Sequence, residues 1–209
     1  KNLLLMVPLL AAHDLANAQA WGDLALGFAA FCLCASSVYV LNDLLDLESD
    51  RRHPRKRLRP FASGEVPVST GVVVMPVLLL AGVVLGYAVG PVFLACLGLY
   101  FVLTCAYSWV LKRLMLVDCL TLAVLYTLRI IAGAVAVGHV LSFWLLAFAV
   151  FLFLSLAFVK RYAELEIQLA GGDGKVHGRG YTTADAPLVQ TMGIIAVLLF
   201  SQGYLGGEF

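Results

Sequence analysis

The chain has 209 residues, of which 62% are hydrophobic and 13% charged, with a formal net charge of +1. Its mean hydropathy of +0.94 is far above that of water-soluble globular domains and points to a polytopic, all-α membrane bundle. So small a net charge says nothing for an acidic partner or for nucleic acid, which is not expected, and leaves only the distribution of charge informative.

Apolar runs of roughly 20 residues, enough to cross a ~30 Å hydrocarbon layer, predict about seven helical spans. In chain order these are 2–18, 22–46, 67–88, 91–111, 115–137, 142–162 and 187–205. "VGPV" at 89–92 and "VGHVLS" at 137–142 read as tight turns between spans. No 20-to-50-residue repeat and no separate soluble domain is visible, so residues 1–209 read as one transmembrane domain. The loops after the second, fourth and sixth spans share one side of the membrane. With Lys1 they hold thirteen of the fourteen Lys and Arg residues, which makes that side cytoplasmic by the positive-inside rule. The exception is Arg129, inside the fifth span. Five cysteines (Cys32, Cys34, Cys96, Cys105 and Cys119) lie in apolar runs without metal-ligand spacing and read as reduced packing residues. His13, Asp14 and Asn17 form a polar cluster near the end of the first span, for which a helix cap is the expectation. His53, His139 and His177 fall in loops.

The charge distribution has one sharp feature. "LNDLLDLESDRRHPRKRLRP" (41–60) gathers ten of the 27 charged side chains, four acids and then six bases. At 100° per residue Asp43, Asp46 and Asp50 fall within about 60° of one another on a helix, with Asn42 at the edge of the stripe. Three carboxylates on one face repel unless a cation sits among them, and a hard divalent ion such as Mg2+ shares its oxygen ligands with substrate phosphates. Asp43, Asp46 and Asp50 are therefore the candidate metal-binding and catalytic residues. The bases that follow, Arg57 among them, suit a loop returning over a phosphate or diphosphate. Alternatively, the bases only set topology and touch anionic lipid.

Further along, Asp118, Leu122, Tyr126 and Arg129 fall on one stripe of the fifth span. Arg129 either pairs with Asp118 or binds an anionic group inside the bundle. Lys112 and Arg113 are either topogenic charges or phosphate ligands. Lys160, Arg161 and Glu164 sit near a helix end, where Lys160 and Glu164 either form an i,i+4 pair or orient a phosphate at a cavity mouth.

"NDLLDLESD" (Asn42–Asp50) resembles the NDxxDxxxD motif of the UbiA superfamily of intramembrane prenyltransferases, and "HPRKRLRPFASGEV" continues in the same manner. The resemblance covers most of the chain. It implies an all-α bundle, usually of nine spans, so about two spans would lie beyond residue 209. It also implies a Mg2+–diphosphate site at the cytoplasmic end of a central cavity, carried here by Asn42, Asp43, Asp46 and Asp50.

Aromatic prenyltransferases of that superfamily carry a second DxxxD-type motif after the sixth span. Val159–Thr182 contains none; its acids are Glu164, Glu166 and Asp173. The chain is more similar to the bacterial polyprenyl-phosphate (decaprenyl-phosphate) phosphoribosyltransferase branch, in "YSWVLKR" (107–113), Asp118 with "YTLRIIAG" (126–133), "KRYAEL" (160–165) and "GRGY" (178–181). That resemblance implies transfer of 5-phosphoribose from phosphoribosyl pyrophosphate to a polyprenyl phosphate, with Mg2+ as cofactor. Lys112, Asp118, Tyr126, Arg129, Lys160, Arg161, Glu164, Arg179 and Tyr181 would contact substrate. It further implies a bacterial inner-membrane location. The alternatives are prenyl transfer from a polyprenyl diphosphate to an aromatic acceptor and, remotely, an ion-coupled transporter; no paired repeat supports the last.

Overall fold

A computed structural model describes residues 1–171 and 180–205. All of its long elements are helices. A 3-10 segment (Asn2–Met6) runs into α1 (Val7–Ala11), followed by α2 (Ala18–Leu45), α3 (Leu47–Arg52), α4 (Pro60–Ser63), α5 (Val68–Val89), α6 (Pro91–Trp109), α7 (Val117–Val137), α8 (Phe143–Gly171) and α9 (Ala186–Leu205). Five of these, α2, α5, α6, α7 and α8, are long and apolar enough to cross a membrane.

The expected first span is shorter than its sequence suggests. Asn2–Ala11 is only ten residues, about half a bilayer thickness, and the chain turns at His13 with φ of 54°. Asn17 then caps α2, its Oδ1 accepting the Ala20 N–H at 3.1 Å, so the second helix starts four residues before the apolar run. The expected seventh span coincides with the helix α9, but its apolar part among the described residues, Thr183–Leu199, is shorter than a membrane span. At 29 residues α8 is about 43 Å long and outlasts its apolar stretch, because Tyr162–Ala170 is rich in helix-forming Ala, Glu, Leu and Gln. Its Lys160 and Arg161 thus stand more than 25 Å along the axis from Phe143, near the edge of a hydrocarbon layer (at about 1.5 Å per residue).

Helix α7 is the centre of the bundle, packing on the N-terminal rod, α2, α6 and α8, while α5 covers α2 and α9 covers α8. Close approach of the rod depends on Gly133. A Cβ there would stand 2.1 Å from the Leu5 carbonyl oxygen. Small side chains at Ala132 and Ala136 join the same core as Leu5 and Leu9 of the rod, as is usual where helices meet without a hydrophobic driving force. One apolar core joins Leu5, Leu9, Phe31, Phe93, Leu97 and Leu128; a second joins Cys119, Phe158, Leu165, Tyr181 and Val189. Outward-facing apolar residues such as Val73, Leu80 and Val84 of α5 remain uncovered, as a lipid-facing surface requires. All five cysteines are unpaired, and Cys34 and Cys119 are fully buried.

The polar cluster near residue 13 resolves into connections at one end of the bundle. Asn17 donates to Asp14, and Asp14 faces His139 Nε2 at 3.5 Å, fastening the α1–α2 turn to the α7–α8 turn. The charged segments gather at the opposite end.

Candidate active site

A cavity of about 570 Å3 opens between α2, α6, α7 and α8 at that charged end. Asn42 and Tyr39 line it from α2, and Tyr126 and Arg129 from α7. Lys160 and Phe153 line it from α8. From α6 come Tyr100, Thr104, Tyr107 and Ser108, residues at helical spacing i, i+4, i+7 and i+8 that form a single polar stripe. Aromatic rings dominate the walls, Tyr126 stacking on Phe153 with centroids 5.1 Å apart.

Beside the cavity, α2 stops at Leu45 and α3 begins after Asp46, but the backbone hydrogen bonds run on through the joint. Asp46 N–H donates to Asn42 O at 2.9 Å and Asp50 N–H to Asp46 O at 2.8 Å. The helical phase of the motif therefore survives, and the Asp43 and Asp50 carboxylates converge. A single nitrogen, Arg59 Nη1, donates to Asp43 Oδ1 at 2.9 Å and to Asp50 Oδ2 at 2.8 Å. Asp50 is buried, its side chain 1% exposed, and its second oxygen, Oδ1, accepts no hydrogen bond. Lys56 Nζ stands off that oxygen at 3.7 Å. Asp46 is half-buried and makes no ion pair, so among the described residues no group of three acids converges.

That arrangement fits a metal shared with a substrate. Mg2+ is commonly held by one or two carboxylates, with phosphate oxygens and water completing the octahedron. Asp43 and Asp50 supply such a pair, already gathered around one positive charge, and the orphaned Asp50 Oδ1 retains acceptor capacity.

Arg129 lies deeper, 7% exposed, on the cavity wall. Its Nε donates to Asn2 Oδ1 (3.1 Å), Nη1 to Leu125 O (2.6 Å) and Nη2 to Tyr100 Oη (3.0 Å). The guanidinium also lies over the Tyr100 and Tyr126 rings. Every partner is neutral. Among the described residues no carboxylate reaches it, which leaves a buried cation facing a cavity without a counter-ion.

Asp118 does not pair with Arg129; eleven residues of helix place them about 16 Å apart. Asp118 faces Arg161 instead, Oδ2 to Nη2 at 2.5 Å, and accepts the Tyr181 hydroxyl on Oδ1 at 2.5 Å. Tyr181 Oη in turn accepts the Leu116 N–H at 2.8 Å. Leu116 has φ of 64°, which a leucine adopts only under constraint, and Tyr181 holds that turn in place. Arg161 also bonds Glu164 and lies over the Tyr181 ring. Of the two readings of Lys160, the i,i+4 pair with Glu164 is not formed and the place at the cavity is; one residue's 100° rotation sends Arg161 into the bundle, where Glu164 meets it, and Lys160 to the cavity. Burial and the Asp118 carboxylate push the Tyr181 phenol well above its ordinary pKa. The chain reaches this cluster over Gly180, where a Cβ would stand 2.0 Å from the Arg113 carbonyl oxygen.

Of the sequence-predicted residues, Asn42, Tyr126, Arg129 and Lys160 line the cavity, and Asp43 and Asp50 meet beside it. Asp118, Arg161, Glu164 and Tyr181 form the neighbouring buried network and do not line the cavity. Arg57 is exposed and Lys112 half-buried, neither at the cavity wall; Arg179 lies outside the described residues. Sequence reasoning missed Arg59, whose signal was its place one residue before the helix-starting Pro60. It also missed the α6 stripe, legible as polar residues three and four apart in an apolar run.

A family model described as the UbiA prenyltransferase family matches residues 4–201. The chain belongs to the UbiA prenyltransferase family. Its relatives include nodulation protein NoeC of Azorhizobium caulinodans, 40% identical over 212 residues, covering 100% of this chain and 66% of that protein. Decaprenyl-phosphate phosphoribosyltransferase of Corynebacterium glutamicum is 36% identical over 204 residues, covering 95% and 61%. The chain thus spans less than two thirds of the length of these two relatives. The solved structure of a UbiA homolog from Archaeoglobus fulgidus bound to GPP and Mg2+ superposes with a TM-score of 0.71 at 19% identity. The match covers 92% of this UbiA-family chain and 69% of that one, a likeness of fold.

Proposed function

We propose that this UbiA-family chain is the core of a Mg2+-dependent integral-membrane transferase that moves 5-phosphoribose from phosphoribosyl pyrophosphate to a polyprenyl phosphate. The observation that carries the reading is Arg129. Such a reaction handles two reacting anions, the departing diphosphate and the acceptor phosphate, and two separate places suit them. One is the Asp43–Asp50 pair beside the cavity, which would hold the diphosphate through a metal; the other is the Arg129 guanidinium on the cavity wall, which no carboxylate reaches among the described residues. The relatives named decaprenyl-phosphate phosphoribosyltransferase, 33–36% identical, support the same substrates.

When bound, Mg2+ neutralises charge on the diphosphate as it leaves. Asp43 and Asp50 hold the cation side of that complex, and the Asn42 amide, one residue before Asp43, faces the cavity to orient the donor. Arg129 fixes the acceptor phosphate with its oxygen turned toward the ribose C1. The bond from C1 to the diphosphate oxygen breaks as the bond from C1 to the acceptor oxygen forms. No general base is needed, because a phosphate monoester is already anionic. Lys160 steadies the donor's 5-phosphate at the mouth. The aromatic walls exclude water, which would otherwise compete for C1. Tyr181 helps hold this end together through Asp118. The charged end faces the cytoplasm of a bacterial inner membrane, in keeping with the Lys and Arg distribution.

The aromatic lining favours one second reading, prenyl transfer to an aromatic acceptor. Membranes containing the protein are incubated with Mg2+, labelled phosphoribosyl pyrophosphate and a polyprenyl phosphate. Label entering the lipid phase, and lost in Asp43→Asn, is the expected result. Failure with that donor, alongside turnover of geranyl diphosphate with an aromatic acceptor, would replace the first reading by the second.

A further inference from the structure

We infer that Arg59 is a resident counter-cation of the acidic pair, so that free metal and Arg59 compete for Asp43 and Asp50, and metal enters with tight affinity only together with a diphosphate. The inference deepens the proposed function and rests on it.

The geometry is specific to one atom. Arg59 uses a single nitrogen, Nη1, to bridge both carboxylates at 2.9 and 2.8 Å, as a point charge does, and forms no two-nitrogen fork with either. Asp50 is buried, and an ionised carboxylate so placed needs a positive partner at all times. A divalent ion held between the same pair, even where it takes the unbonded Asp50 Oδ1, sets its charge against the Arg59 guanidinium that bridges the other oxygens. Arg59 is also able to leave: its side chain is 39% exposed, and it stands at the start of α4, where the loop from α3 returns.

Charge balance then permits two states. In one, Arg59 bridges the acids and the site holds no substrate. In the other, metal lies between the acids, and Arg59 turns to the diphosphate, an anion its guanidinium fork suits better than one nitrogen suits two carboxylates. Metal alone would strand the Arg59 charge beside a dication. Diphosphate alone would lie against two carboxylates. Each ligand therefore strengthens the binding of the other, by the reciprocity that any such coupling obeys. The functional consequence is that the site does not hold bare metal at rest, and the donor arrives as its metal complex.

The test measures Mn2+ binding, by electron paramagnetic resonance of free Mn2+, to the whole protein in lipid nanodiscs with and without inorganic pyrophosphate. Wild-type protein should bind Mn2+ at least about tenfold more tightly with pyrophosphate present, within the usual range of such couplings. Arg59→Gln should bind Mn2+ more tightly than wild type when pyrophosphate is absent, and should lose most of the pyrophosphate effect. Arg59→Lys, which keeps the charge, should stay close to wild type and serves where the glutamine variant fails to fold. Equal wild-type affinity with and without pyrophosphate overturns the inference, and so does an Arg59→Gln affinity no higher than wild type. No Mn2+ binding by wild type even with pyrophosphate overturns the metal reading of the proposed function as well. That outcome is distinct from strong binding that is indifferent to Arg59.

Discussion

Arg161 and Asp118 form an ion pair buried on both sides, their side chains 1% and 0% exposed, at the junction of α7 and α8. Arg129, on the same helix as Asp118, is nearly as buried, and among the described residues no acid reaches it. Two buried arginines thus have opposite status, and single substitutions should separate them.

Removing one partner of the buried pair strands the other. Arg161→Met or Asp118→Leu should each cost about 3–5 kcal/mol. The double variant Asp118→Leu/Arg161→Met should lose less than either single one. Thermal unfolding in detergent measures this; additive losses would show that the pair is not coupled.

At Arg129 the expectation reverses. Arg129→Met leaves no carboxylate behind, so stability should stay within about 1 kcal/mol of wild type. Transfer should nevertheless fall, with kcat/KM for the phosphate-bearing acceptor down by about 30–150-fold, equivalent to about 2–3 kcal/mol. Initial rates against acceptor concentration, with unfolding followed in parallel, test it. A collapse of stability without a specific loss of acceptor recognition would make Arg129 structural.

Tyr181→Phe keeps the ring over Arg161 but removes the hydroxyl that serves both Asp118 and the Leu116 N–H. The loss should be about 1–3 kcal/mol. A raised folded-state pKa implies a stabilising contribution present below the unfolded value, near 10, and lost as pH rises above it. Wild-type stability should therefore decline above about pH 10 more steeply than that of Tyr181→Phe. Parallel pH profiles would contradict the assignment.

Gly133 admits no side chain against Leu5. Gly133→Ala should displace the N-terminal rod or cost about 1–3 kcal/mol by overpacking. Because the rod carries Asn2, whose amide oxygen accepts from Arg129, the variant should also weaken acceptor binding. Unchanged stability and acceptor KM in Gly133→Ala would refute the coupling.

Periodicity and hydropathy carried the reading of α2, α5, α6, α7 and α8, because a ~30 Å hydrocarbon thickness imposes helix length directly on the sequence. The same 3.6-residue period placed Asp43 and Asp50 on one face, and put Leu122, Tyr126 and Arg129 together on the cavity wall. What one helix presents to itself was legible. Partner choice between helices was not. That Arg161, and not Arg129, meets Asp118, and that Arg59 reaches back to both acids, follow from how α7, α8 and the α3–α4 loop pack. A charge's partner is set by distances of a few ångströms across elements far apart in the chain, and local sequence pattern does not contain them.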